Sequence, residues 1–105
     1  GGRNREYALT VLAMAKITDI LGGEFDMNKL NDGNTEERTV RRAEIMAALS
    51  AGAAAKTRAE TGEDARGQSV DHYLSLDAAT FSDEFSAAMK AVGEGLKRRV
   101  KAKKQ

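Results

Sequence analysis

Between residues 81 and 100 the large apolar side chains fall at Phe81, Phe85, Met89, Val92, Leu96 and Val100, three or four residues apart throughout. That interval marks an α-helix with one apolar face, here about five turns long. Such a helix draws most of its stability from whatever covers the stripe. The rest of the chain must supply that cover, and it has little bulk to do so. Of 43 hydrophobic residues among 105, 18 are Ala, which leaves 25 with larger apolar side chains. Leu, Ile, Val and Phe together number 19, near the level at which disorder is suspected, but disorder also needs a high net charge and this chain carries only +1. The expectation is a single domain over 1–105, mainly α, folded but marginally stable alone.

Upstream, Tyr7, Leu9 and Val11 alternate with Ala8 and Thr10 after the turn-prone GGRN. Period two predicts a short N-terminal β-strand, whose pairing strand would precede residue 1, or an extended lead into a helix. From Leu12 the period changes. Met14, Ile17 and Leu21 share one helical face, with Leu12, Ala13 and Ile20 beside it, and Gly22-Gly23 forms a glycine C-cap. Phe25 before Asp26, with Leu30 four residues on, reads as a hydrophobic staple around an N-cap, so a short helical turn ends near Asn31-Asp32-Gly33. Asn34 stands three residues before Glu37, a capping-box start to a long helix reaching Thr61-Gly62. Its stripe is Val40, Ile45, Met46, Leu49 and Ala53, with a flatter strip of Ala43, Ala47, Ala51 and Ala54 that would let another helix approach closely. The N-terminal helices thus occupy 12–61. Residues 62–69, GEDARGQS, form a polar flexible loop, and the C-terminal helices occupy 70–100. Ser69 caps a short helix with Val70, Tyr73, Leu74 and Leu76, and Asp77 to Thr80 starts the last one. Gly93 and Gly95 each weaken that helix by about 1 kcal/mol relative to Ala, so its end is expected to fray over 97–105.

The chain lacks Cys and Trp and has one His, which excludes disulfide frameworks, thiolate metal sites and an intramolecular two-His zinc motif. No metal or cofactor is expected. His72 beside Asp71 is the sole base with an adjacent acid, but neighbours on a helix point about 100° apart, so it reads as a solvated surface histidine. The acidic pairs Glu36-Glu37, Glu63-Asp64 and Asp83-Glu84 sit at helix starts or in the loop, where acids are favoured without any catalytic role. No glycine run precedes a Lys-Ser or Lys-Thr helix start, so nucleotide binding is unsupported. The chain is not expected to be an enzyme. There is no run of about eighteen apolar residues and no secretory leader pattern, which predicts no membrane partner and a cytoplasmic location.

The net charge conceals an asymmetry. Within residues 96–105, Lys97, Arg98, Arg99, Lys101, Lys103 and Lys104 form a basic tail with no acid, while the remaining 95 residues carry 11 basic and 16 acidic groups. The tail could attract phosphate backbones or an acidic partner. Cations also favour a helix C-terminus for dipole reasons alone. No aromatic residues interleave with the tail, and Arg38, Arg41 and Arg42 are surrounded by Glu36, Glu37 and Glu44, so neither a basic recognition helix nor a nucleic acid partner is expected.

The order of segments resembles the phage tail assembly chaperone family. The resemblance rests on GGRNREYALTV running into LAMAKITDILGG, then FDMNKL, ERTVRRAEIMAALSAG, and SVDHYLSLDAATFSDEFSAAMKAV before a charged tail. It covers most of the chain as a pattern of apolar and glycine positions. It implies a mainly helical, non-catalytic protein of an infected or lysogenic bacterium that binds the tape measure protein and helps tail tube subunits polymerise around it. It also implies that a frameshifted longer product is common in such proteins, for which the Lys103-Lys104 pair is a candidate position.

The residues agree with a partner-binding role on their own terms. A small domain buries a modest share of its surface, so the stripe Phe81, Phe85, Met89, Val92 and Leu96, with Ile45, Met46 and Leu49, is expected to form one core. Part of it would stay open as a groove for an amphipathic segment. The open part would equally serve a homo-oligomer. The alternatives are a head-to-tail connector or capsid adaptor subunit, and a DNA-binding accessory protein that uses the basic tail.

Overall fold

In the computed structural model, residues 6–103 are described, with side chains through Arg98. The chain is mainly helical. Helix α1 spans Val11–Ile20, a 3-10 turn spans Met27–Asn31, and α2 runs from Thr35 to Thr61. The short α3 covers Val70–Leu74, and α4 runs over Ala78–Lys103. Helix α2 lies at the centre, in contact with α1, the 3-10 turn, α3 and α4.

Local chemistry sets the boundaries. Thr10 Oγ1 accepts from the Ala13 N–H at 3.1 Å and starts α1. At its end, the Gly23 N–H reaches back to the Thr18 carbonyl and the Gly22 N–H to that of Asp19, a Schellman pattern that needs the positive φ of 93° at Gly22. Asp26 caps the 3-10 turn through Asn28 N–H, and Phe25 and Leu30 both join the core. Asn34 and Glu37 form the expected reciprocal capping box, at 2.9 and 2.8 Å, and Gly62 ends α2 in the left-handed region. Ser69 caps α3 through His72 N–H, and Asp77 caps α4 through Thr80 N–H at 2.8 Å.

The core gathers Ala13 and Ile17 of α1, Leu21 just past its end, Leu30, Tyr73 of α3, and Ala88 and Val92 of α4 around Ile45, Met46 and Leu49 of α2. Within α1 the buried line is therefore shifted from the expected one. Met14 is half-buried and Leu12 is 50% exposed.

One expectation is corrected. Among the described residues there is no β-strand. Tyr7 to Thr10 is the extended alternative, with the Ala8 N–H bonded to the Leu49 carbonyl of a helix rather than to a sheet edge. Helix α4 runs through Gly93 and Gly95 as far as Lys103. A cost of about 1 kcal/mol per Gly is small against the packing of a helix this long. The loop 62–69 is irregular but tied down. Arg58 donates to the Ala65 carbonyl at 2.6 Å, the Gln68 N–H donates to Ser50 Oγ at 2.8 Å, and Gly67 rests directly on the backbone of Ser50 and Ala51.

Candidate partner-binding site

The eight apolar residues singled out from the sequence do come together, at two depths. Ile45, Met46 and Leu49 are fully buried and Val92 is 4% exposed, so these four hold the fold and present no surface. Phe81, Phe85, Met89 and Leu96 pack against them but are only half covered. They form an apolar edge along α4. Arg42 lies over the Phe85 ring, its guanidinium carbon 5.3 Å from the centroid, so a cation shields part of that edge.

Arg42 belongs to a cluster whose role the sequence did not disclose. Arg38 donates to the Asn31 carbonyl, Arg41 to the carbonyls of Leu30 and Asp32, and Arg42 to the Leu30 carbonyl and to Asn31 Oδ1. These bonds satisfy carbonyls at the end of the 3-10 turn and bind that turn to α2. Burial, and then repulsion from Arg38 and Arg41, lowers the Arg42 pKa from its ordinary value, though an arginine remains charged at neutral pH. The three arginines are thus engaged within the fold.

Other apolar surface lies elsewhere. Val11 is 86% exposed and Leu74 41%. The alanine strip on α2 is covered only in part: Ala43 and Ala54 are buried, while Ala47 and Ala51 border an open groove of about 310 Å³ walled by Ile20 of α1 and by Val70. Close approach at Ala51 is made by the irregular Gly67. In the basic tail, Lys97 and Arg98 are exposed. The side chains of Arg99, Lys101 and Lys103, and Lys104 as a whole, lie outside the described residues, as does Val100 of the apolar stripe.

Missed from the sequence was a polar cluster where the N-terminal segment meets α2, α3 and α4. The Tyr7 hydroxyl donates to Glu84 Oε1, and its ring lies 6.4 Å from that of Tyr73. Tyr73 is 2% exposed and hydrogen bonds with the Tyr7 and Ser50 hydroxyls. Burial, reinforced by the bond to Glu84, pushes the Tyr7 hydroxyl far above the ordinary tyrosine range, and burial also raises Tyr73. Both hydroxyls, neutral at pH 7 in any case, thus stay protonated further into alkaline solution. His72 is exposed and stacks edge-on against Tyr73, its ring centroid 5.1 Å away. Among the described residues no three His, Asp or Glu side chains converge as a metal-holding group. No described helix is long and apolar enough to cross a membrane.

Compared with models of protein families, with curated proteins and with solved structures, the chain matches none.

Proposed function

We propose that this is a non-catalytic helper of phage tail assembly, which binds the tape measure protein and tail tube subunits in the cytoplasm of the host bacterium. The observation that carries the reading is the edge of α4. Phe81, Phe85, Met89 and Leu96 are anchored on the core yet half open. An amphipathic segment laid along such an edge gains apolar burial without unfolding the domain. Support also comes from the order of segments that resembles tail assembly chaperones.

The test is co-expression with the tape measure protein of the same genome, followed by co-purification. The parent chain should capture it. Phe85→Ala with Met89→Ala should lose at least about tenfold in capture while retaining the helical circular dichroism signal, given that buried aromatic and methionine contacts dominate such interfaces. Capture at full strength by the double variant would overturn the assignment of the edge. Recovery of the chain as a closed ring in purified particles would overturn the chaperone reading in favour of the connector.

A further inference from the structure

Three cations stand beside the apolar edge of α4 with no anion to match them. Arg38, Arg41 and Arg42 lie near the start of α2, where the positive end of the helix dipole already disfavours them. Among the described residues none of the three forms an ion pair; the pairs found are Lys29 with Glu24 and Arg66 with Asp64. Their partners are the carbonyls of Leu30, Asn31, Asp32 and Arg38 and the side-chain oxygen of Asn31. Those bonds occupy donors but cancel no charge, because amide oxygens are neutral. Glu37, next to Arg38, is committed to the capping box with Asn34. Repulsion from Arg38 and Arg41 therefore adds to burial in lowering the Arg42 pKa. A guanidinium carries N–H groups on three nitrogens. The bonds found use one nitrogen each of Arg38 and Arg41 and two of Arg42, which leaves donors for a further acceptor.

The cluster and the edge are continuous. Arg42 lies 5.3 Å from the Phe85 ring centroid, and Arg38, one turn earlier, shares its face of α2. The three arginines, Phe81, Phe85 and Met89 are all half-buried, so charge and apolar surface reach solvent side by side. Cations one helical turn apart, about 5–6 Å between Cβ atoms, match two carboxylates at the same spacing on an approaching helix. A nucleic acid fits less well. Phosphates would cover neither Phe81 nor Met89, and Glu36, Glu37 and Glu44 on the same helix would repel a long polyanion.

We propose that the edge of α4 and the arginine cluster of α2 form one docking surface for an acidic amphipathic helix of a partner protein. Its apolar face lies on Phe81, Phe85 and Met89, and two carboxylates a turn apart meet Arg38 and Arg42. The inference rests on the edge being a docking surface, as above, and adds the charge of what docks there. Guanidinium–carboxylate bonds are short, strong and often bidentate. They also give selectivity, since a basic helix of equal hydrophobicity would meet three like charges.

The test offers the immobilised full chain a display library of amphipathic helical peptides with the apolar face fixed and the flanking positions randomised. The parent should enrich Asp and Glu at two positions one turn apart. Arg38→Gln with Arg42→Gln should lose that enrichment while still selecting the apolar face. One selected peptide, read by fluorescence anisotropy on the parent, should bind at least about tenfold more weakly when its two acids become Gln. It should weaken similarly when salt rises from about 0.1 to about 1 M, which shortens the Debye length from about 10 to about 3 Å. Both measurements need only the parent, so they decide the matter even if the arginine variant fails to fold. Selection of the apolar face without acids would overturn this inference and leave the edge standing. So would acid enrichment that persists in the folded arginine variant, or a peptide indifferent to salt. A duplex DNA oligonucleotide that binds the parent more tightly than the peptide would overturn it in favour of nucleic acid. Phe85→Ala with Met89→Ala selecting the same peptides as the parent, or a parent that selects none, would remove the edge and this inference together.

Discussion

Helices α2 and α4 are almost equal in length, 27 and 26 residues, yet they are opposite in how they are used. On α2 nine residues are buried between Ala43 and Ala54, spread around the helix rather than along one line. On α4, among the described side chains, Ala88 and Val92 are buried and the larger residues are half covered. The helix with the cleaner apolar period is the more peripheral one. A helix with neighbours on one side needs a single stripe, and that stripe is easily read. A central helix is contacted from several directions, so its pattern blurs into alanines and small residues that let neighbours approach.

The largest effects should come from truncating the centre. Leu49→Ala, at a residue with no exposed surface, is expected to cost about 2–5 kcal/mol, read as a lower midpoint in urea. Met89→Ala on the half-covered edge of α4 should cost well under that, about 1–2 kcal/mol, because roughly half the burial is at stake. Equal losses at the two sites would break the contrast between a central and a peripheral helix.

Glycine-to-alanine changes sharpen the contrast by their sign. In an open helical position Ala is worth about 1 kcal/mol over Gly. Gly93 on α4 has nothing within 4 Å of where an added methyl group would stand, so Gly93→Ala should raise the melting temperature. Gly52 on α2 has backbone in that place, and Gly52→Ala should lower stability by about 1–3 kcal/mol as the overlap is relieved. A stabilised Gly52→Ala variant would mean that the N-terminal segment leaves α2 at little cost.

What could be read ahead of the structure follows from how far apart the causes lie. Caps are local, so Gly22-Gly23, Asn34 with Glu37, Ser69 and Asp77 announce helix boundaries within three or four residues of where they act. The stripe on α4 and the buried trio Ile45, Met46 and Leu49 are periodic and equally legible. The N-terminal segment was not. Alternation at Tyr7 and Leu9 reports an extended chain between two surfaces, and nothing in the period distinguishes a sheet from a pair of helices. Gly52 and Gly95 look like weak points in helices until the segment they admit, more than forty residues upstream, is seen against them. Likewise Arg38, Arg41 and Arg42, surrounded by glutamates in the sequence, take carbonyls as partners, which every residue has and no pattern marks.

The smallest expected difference between the two helices lies in how they begin. Helix α2 starts on a neutral amide, Asn34 Oδ1 accepting from the Glu37 N–H, and α4 on a carboxylate, Asp77 Oδ1 accepting from the Thr80 N–H. Those backbone and hydroxyl bonds from Thr80 hold Asp77 below the ordinary aspartate value. A folded-state pKa below the unfolded one adds stability above the unfolded value, and that contribution drains away as pH falls through the folded one. Asp77→Asn keeps an acceptor that caps about as well but cannot be protonated in that range. At neutral pH the variant should therefore melt close to the parent. Below about pH 4, the ordinary aspartate range, the parent should become less stable than the variant, with the loss appearing first as reduced amide-exchange protection in the first turn of α4. Parallel acid profiles for parent and variant would show that this cap contributes nothing, and that α4 is held at its start by Phe81 and Phe85 alone.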